Sequence, residues 1–152
     1  MKKLALILLF LVILLNGCSN NLDNTTGNVI YNNPSPLDVN KIEIFHFHGT
    51  HQCYSCKTVG AYAEETVKTF FSEELDSEKI IFNHINGDIE ENKDLVLKYD
   101  VIGSSLWLGV YDKEGNFYPE ENSNVWYKIG NKLEYMNYLK GIIDKRLAGD
   151  LS

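Results

Sequence analysis

The chain has 152 residues and a formal net charge of −7, with 14 Lys and Arg residues against 21 Asp and Glu residues. This acidic balance argues against nucleic acid as a partner and against electrostatic docking to anionic lipid, because both require a basic surface. The length is enough for one small domain with a single core.

The first residues have the basic and apolar regions of a signal peptide. Lys2 and Lys3 are followed by an apolar run over 4–15 and then by Cys18. The run is too short for a transmembrane helix, which needs about 20 residues. We predict that residues 1–17 are a signal peptide and that the domain works outside the cytoplasm.

Residues 14–18 resemble the lipobox of bacterial lipoproteins, with the small residue Gly17 before Cys18. The resemblance implies that Cys18 becomes the lipidated first residue of the mature chain and anchors it to the cell membrane. Several acyl chains would be needed, because a single chain binds membranes only marginally. The alternative is a secreted protein in which Cys18 has no role. Residues 18–40 are rich in Asn and lack an apolar period, which predicts a flexible tether behind the lipidated cysteine.

Beyond the tether, apolar residues recur with the periods of alternating strands and helices. The predicted elements are, in chain order, a central strand over 41–47, an amphipathic helix from Cys56 to Phe71, a strand over 79–85, a helix from Asp88 to Tyr99, a strand over 106–112, a short hairpin return over 116–118 and a helix from Asn131 to Leu147. Asp88 with Glu91 and Asn131 with Glu134 have the spacing of helix caps. Pro119 should end the pairing of the hairpin. This order predicts an α/β sandwich with both faces of the sheet covered.

The residues Cys53-Tyr54-Ser55-Cys56 lie where the first strand gives way to the first helix. Two thiols at this spacing indicate a redox pair or a metal site, because a disulfide that closes so short a loop contributes only about 2 kcal/mol of stability. Cys53 is expected at the first turn, where free N–H groups favour a negative sulfur. Cys56 is expected to be more covered and to resolve a mixed disulfide by attacking Cys53. His51 could add positive charge beside Cys53.

Two other functions fit the same residues. His48, His51, Cys53 and Cys56 offer nitrogen and sulfur ligands for zinc or copper(I), so the domain could bind or carry a metal. A non-catalytic subunit of a larger reductase that has kept its thiols is the second alternative. Among the remaining histidines, we interpret His46 as a core residue with its hydrogen bonds satisfied.

The order of elements, with Cys-x-x-Cys between the first strand and the first helix, resembles the thioredoxin-like fold, and Lys57 extends the match to Cys-x-x-Cys-Lys. The resemblance runs from Lys41 to about Leu147. It implies a minimal three-layer β-α-β-α-β-β-α sandwich around a mixed sheet over residues 41–149. It also implies a thiol–disulfide oxidoreductase that acts on protein thiols and disulfides without a cofactor.

More narrowly, the segments 47–50, 104–106 and 125–126 resemble a small thioredoxin-like family described as a subunit of a nitrophenyl-compound nitroreductase. This resemblance does not imply that the chain has the same substrate, because the function of a protein depends on its site and not on its fold. In the loop that faces the cysteines, thioredoxins place a cis-proline where this chain has Ser105. We predict a trans bond between Ser104 and Ser105, because a cis bond before a non-proline residue costs about 3 kcal/mol. The hydroxyl of Ser105 is expected to face the cysteine pair.

Overall fold

The computed structural model describes residues 36–152. The predicted signal peptide, Cys18 and the tether up to residue 35 lie outside the described residues. The elements are, in chain order, β1 (Val39–His48), α1 (Tyr54–Phe70), α2 (Ser72–Asp76), β2 (Ile80–Asn86), a 3₁₀ turn (Glu90–Asn92), α3 (Lys93–Lys98), β3 (Ser105–Asp112), β4 (Phe117–Glu121), a second 3₁₀ segment (Ser123–Lys128) and α4 (Lys132–Leu147).

The sheet is mixed and has the strand order β2-β1-β3-β4. The central strand β1 pairs in parallel with β2 and antiparallel with β3. Ile42 and Ile44 face a core built with α1 and α4. Phe45 and Phe47 face a second, smaller core on the side of α3. The predicted central strand, mixed sheet and three-layer α/β sandwich are therefore confirmed.

The folded part of the chain begins before Lys41, the predicted start. The N–H of Leu37 donates to the carbonyl of Gly149 at 3.0 Å, and β1 begins at Val39. Gly149 has a φ of 79° and lies so close to the backbone of Leu37 that a Cβ there would be 2.1 Å from its carbonyl oxygen. The two ends of the domain are thus held together by backbone contact.

Two predictions made from local sequence patterns are wrong, because a tertiary contact overrides each pattern. Asp88 does not cap a helix, because its carboxylate accepts the backbone N–H of Thr50 at 2.7 Å, and the helix begins later, at Lys93. Pro119 does not end the hairpin, because β4 continues to Glu121 with Pro119 paired to Gly109. Since β4 is an edge strand, the missing N–H of a proline can face outward.

The final helix follows its prediction. The side chain of Asn131 accepts the N–H of Glu134 at 3.2 Å and so caps α4. Gly115 takes a φ of 86° in the turn between β3 and β4, as its place in the sequence predicts.

Within residues 36–152, no helix has the length and apolar character needed to span a bilayer.

Helix α1 packs unusually close to β1 at Gly60. A Cβ added at Gly60 would lie 2.3 Å from Nδ1 and 2.6 Å from Cε1 of His46. Both residues are buried. Glycine is therefore required at this point of the helix as long as His46 lies beneath it, although glycine costs an interior helical position up to about 1 kcal/mol relative to alanine.

This contact yields a prediction on stability. Gly60→Ala should lower the free energy of unfolding by about 1–3 kcal/mol, the usual cost of overpacking a core. In a His46→Ala background the same change should instead be neutral or stabilising, because the new methyl group gains room and alanine favours a helix. Urea unfolding of the four proteins measures both effects.

Gly141→Ala is the matched control, because a Cβ at that position of α4 meets no atom within 4 Å. It should stabilise the domain by up to about 1 kcal/mol in either background. Equal losses from Gly60→Ala with and without His46 would contradict the close contact.

Candidate functional site: the thiol pair at the start of the first helix

Cys53 is the N-cap residue of α1. Its Sγ accepts the backbone N–H of Cys56 at 3.2 Å, and its carbonyl accepts the N–H of Lys57 at 3.1 Å. The side chain of Cys53 is exposed, whereas Cys56 is half-buried one turn further on. Both are free thiols in this structure. The arrangement leaves one sulfur open to an incoming disulfide and holds the second behind it.

The thiol of Cys56 lies beside Cys53 and Ser104. Burial alone would raise its pKa, but hydrogen bonds with Cys53, with the hydroxyl of Ser104 and with backbone groups outweigh burial and lower that pKa. Ser104 belongs to the loop before β3, which thus faces the cysteines as predicted from the sequence. A thiol with a lowered pKa is a better attacking group near neutral pH.

The residue of this loop that contacts the thiols is Ser104, not Ser105. The hydroxyl of Ser105 is buried, donates to the carbonyl of Gly103 at 3.0 Å and accepts Nε1–H of Trp107 at 2.9 Å. The expectation that this hydroxyl faces the cysteines is therefore wrong, because Ser105 is already the first residue of β3, opposite Phe47. No peptide bond within residues 36–152 is cis, so the Ser104–Ser105 bond is trans, as predicted.

The other candidate residues lie around the thiols with different surroundings. His51 and Lys57 are exposed, and His48 is half-buried with its Nδ1 2.9 Å from the carbonyl of Gly49. The Thr50 amide lowers the pKa of Asp88, and the nearby charges of His51 and His48 add to this effect. His51 thus lies near the carboxylate of Asp88, which the sequence had predicted to cap a helix.

A cleft of about 310 Å³ opens beside the loop that leads to Cys53. Loops from three parts of the chain form it, and its lining residues are Phe47, His48, Gly49, His51, Gly87, Asp88, Val96, Val101, Ile102, Gly103 and Ser104. Ile102 on its rim is 99% exposed, and Tyr54, next to Cys53, is 83% exposed. Two large apolar side chains are therefore accessible to solvent close to the thiol pair.

On the side of the sheet that α1 covers, two histidines and a carboxylate form a chain of contacts. His46 and His84 are opposite each other on β1 and β2, with their Nδ1 atoms 3.0 Å apart. Nε2 of His84 lies 3.3 Å from Oε2 of Glu64 on α1. Burial, together with the neighbouring imidazoles of His84 and His48, lowers the pKa of His46 to about 4, so its ring is neutral at neutral pH.

The candidate metal ligands are not gathered into a site. Among residues 36–152, no three His, Cys, Asp or Glu side chains stand in an arrangement that could hold a metal ion. No observation therefore favours the metal carrier over the redox pair, and metal analysis of the reduced protein tests that hypothesis directly.

Comparison with solved structures supports the fold. The Trx4 domain of ERdj5 matches with a TM-score of 0.50 at 11% identity, over 74% of this chain and 84% of that chain. A thioredoxin from Thermus thermophilus matches with a TM-score of 0.46 at 17% identity, over 70% of this chain and 76% of that chain. Human ERp44 in its zinc-bound form matches with a TM-score of 0.44 at 15% identity, over 66% of this chain and 27% of that chain.

The fold is thioredoxin-like. This conclusion rests on the match to the ERdj5 domain. Because the sequence identity with that domain is low, the similarity concerns the fold alone. No protein-family model and no curated protein sequence matches the chain. The narrower resemblance to a nitroreductase subunit thus finds no support in a matching family.

Sequence reasoning missed that Ser104 contacts Cys56 and that His84 and Glu64 form a chain of contacts with His46. These contacts depend on strand register and on where α1 passes over the sheet, neither of which a local pattern reports. One signal was present. Gly60 lies four residues after Cys56, on the buried face of the helix, where a glycine indicates a close backbone approach.

The geometry predicts unequal thiols. In the native protein at neutral pH, iodoacetamide should modify Cys53 several-fold faster than Cys56, because Cys53 is exposed and Cys56 is half-buried. Mass mapping of partially alkylated protein measures the two rates. In denaturant the rates should converge, and equal native rates or faster labelling of Cys56 would contradict the site as described.

Proposed function

We propose that the domain is a thiol–disulfide oxidoreductase that uses Cys53 and Cys56. The observation that carries the proposal is the pair itself: an exposed sulfur at the N-cap of α1 with a half-buried thiol one turn behind it. The thioredoxin-like fold is consistent with this chemistry but does not by itself establish it.

The reaction follows from the two positions. The thiolate of Cys53 attacks a substrate disulfide, forms a bond to one substrate sulfur and releases the other as a thiolate. The thiolate of Cys56 then attacks Sγ of Cys53, which forms the Cys53–Cys56 disulfide and releases the second substrate thiol. The contact from Ser104 favours this second step, because it helps to lower the pKa of Cys56. The same steps run in reverse when the oxidised pair meets a substrate dithiol.

The surroundings of the thiols favour a polypeptide substrate. Tyr54 follows Cys53 directly, and Ile102 lies two residues before Ser104, which contacts Cys56. These exposed apolar side chains and the cleft behind Ile102 can cover the chain on either side of a protein disulfide. A small nitroaromatic compound would not need such a surface.

Insulin reduction by dithiothreitol tests the proposal. The wild type should accelerate the reaction, because its pair forms the mixed disulfide and resolves it. Cys53→Ser should abolish the acceleration. Pre-reduced Cys56→Ser, freed of dithiothreitol and then mixed with insulin, should accumulate a covalent adduct with an insulin chain that non-reducing electrophoresis resolves, because no thiol is present to resolve it.

The three proteins separate the alternatives. A non-catalytic subunit would leave insulin reduction at the rate of dithiothreitol alone in all of them. Adducts formed equally through Cys53 and Cys56 would contradict the assigned order of attack.

We also propose that the domain works outside the cytoplasm, held at the cell membrane by a lipid on Cys18. What supports this is the basic and apolar start of the chain and the small residue before Cys18. In a bacterial expression host, the wild type should fractionate with membranes and Cys18→Ser should not. Equal distribution of the two proteins would count against the anchor.

A further inference from the structure

The cleft beside the thiol pair combines apolar side chains with a single carboxylate. Val96, Val101 and Ile102 belong to its apolar lining, and Ile102 is almost fully exposed at the rim. Of the lining residues within 36–152, Asp88 is the only carboxylate, and none is a lysine or an arginine. At about 310 Å³ the cleft is at the low end of the range for small-molecule sites, so it suits one side chain better than a cofactor.

Two glycines keep this cleft open. A Cβ at Gly49 would lie 3.2 Å from Oδ2 of Asp88, and a Cβ at Gly87 would lie 3.3 Å from Cγ2 of Val96. Both distances are tighter than ordinary van der Waals contact, so a side chain at either position would crowd the carboxylate or the apolar wall. Because neither residue has one, the space beside Asp88 and Val96 stays free.

Asp88 is held in place and carries a negative charge. Its Oδ2 accepts the N–H of Thr50 at 2.7 Å, and its own N–H donates to Oδ1 of Asn86 at 3.1 Å. The Thr50 amide holds the pKa of the Asp88 carboxyl below its usual value, so the group is ionised at neutral pH. A carboxylate has about four acceptor positions, and Thr50, with one amide and one hydroxyl, can occupy no more than two of them.

A lysine or arginine side chain matches this combination of groups. Such a side chain has an apolar stem and a positively charged head that donates hydrogen bonds. Its stem would lie against Val101 and Ile102 while its head reaches Asp88. A metal ion fits less well, because no three metal-ligating side chains within residues 36–152 are arranged around one position.

The cleft lies next to the reacting sulfurs. His51 lines it two residues before Cys53, and Ser104 lines it and hydrogen-bonds with Cys56. Two residues of extended chain span at most about 7 Å, so the backbone of His51 is within that distance of Cys53. A side chain a few residues from the cysteine that Cys53 attacks can therefore enter the cleft.

We propose that this cleft binds a lysine or arginine side chain of the substrate polypeptide, close in sequence to the attacked cysteine, with Asp88 as its charge partner. The inference rests on the proposed function and names its substrate class, which is protein disulfides flanked by basic residues. Asp88 is exposed in the free domain, so the ion pair strengthens when a bound chain covers it and excludes water.

Peptides with one activated disulfide test this substrate class. Each is a short glycine- and alanine-based peptide whose single cysteine is joined to thionitrobenzoate, with lysine, glutamine or glutamate two or three residues before or after that cysteine. Attack by the Cys53 thiolate forms a bond to the peptide sulfur and releases thionitrobenzoate, the better leaving group, whose absorbance gives a second-order rate constant. Rates are measured at about pH 8, where lysine is charged and free histidine is not.

The quantity compared is the ratio of the lysine rate to the glutamine rate within one protein, which cancels any effect of a variant on the thiols. In the wild type this ratio should reach about five in at least one position, the upper end of what an exposed ion pair contributes, and glutamate should give no gain. Added salt should lower the ratio. Asp88→Asn should bring it close to one, while the amide oxygen of Asn can still accept the Thr50 N–H.

Asp100→Asn is the matched control. Asp100 is an exposed carboxylate of the loop before β3, but it does not line this cleft, so the variant removes the same charge nearby. Its φ of 53° is one that asparagine adopts readily. The ratio in Asp100→Asn should stay at the wild-type value.

Equal rates for lysine and glutamine peptides at every position in the wild type would overturn this binding site and leave the thiol chemistry standing. An equal loss of preference in Asp88→Asn and Asp100→Asn would also overturn it, because the preference would then come from the overall negative charge of the domain. Release of thionitrobenzoate by Cys53→Ser as fast as by the wild type would instead contradict the proposed function itself.

Discussion

The close approach of α1 to β1 is the constraint on which the site depends. At Gly60 the helix backbone lies so near the strand that a Cβ would be 2.3 Å from the ring of His46. This approach brings the first turn of α1 over the carboxyl end of β1. The start of α1 thus carries the exposed sulfur of Cys53 and the half-buried thiol of Cys56 just ahead of the contact between Gly60 and the buried ring of His46.

Much of the fold was predictable from local pattern, since it depends on apolar periods that reflect burial. The alternation in β1 indicated a strand covered on both faces, and Ile44 and Phe45 do lie in different cores. The predictions of local structure failed where a contact with a distant part of the chain overrides the local sequence pattern. Asp88 has the spacing of a cap, but Thr50 from another loop occupies its carboxylate. Pro119 looks like a strand terminator until β4 is known to be an edge.

Only the cysteine pair of the site was predictable from the sequence. A Cys-x-x-Cys motif at a strand-to-helix junction is visible in sequence because helix capping is local, and Cys53 does cap α1. His46 is a core residue as interpreted, but its hydrogen bonds are not all satisfied. Its Nδ1 meets His84 on the next strand, which no local pattern reveals, and its Nε2 has no partner among residues 36–152. The sequence predicted Ser105 at the thiols, where the structure places Ser104. This prediction also failed for want of tertiary information, because one residue of strand register decides which hydroxyl faces the thiols.

The most direct test of the central claim is a redox titration of Cys53 and Cys56 in glutathione buffers, read by mass spectrometry after acid quenching. The account predicts one reversible two-electron transition between the dithiol and an intramolecular disulfide, with little glutathione adduct at any ratio, because Cys56 resolves the mixed species. A glutathione adduct on Cys53 that persists beside a free Cys56, or a pair that never closes, would contradict it.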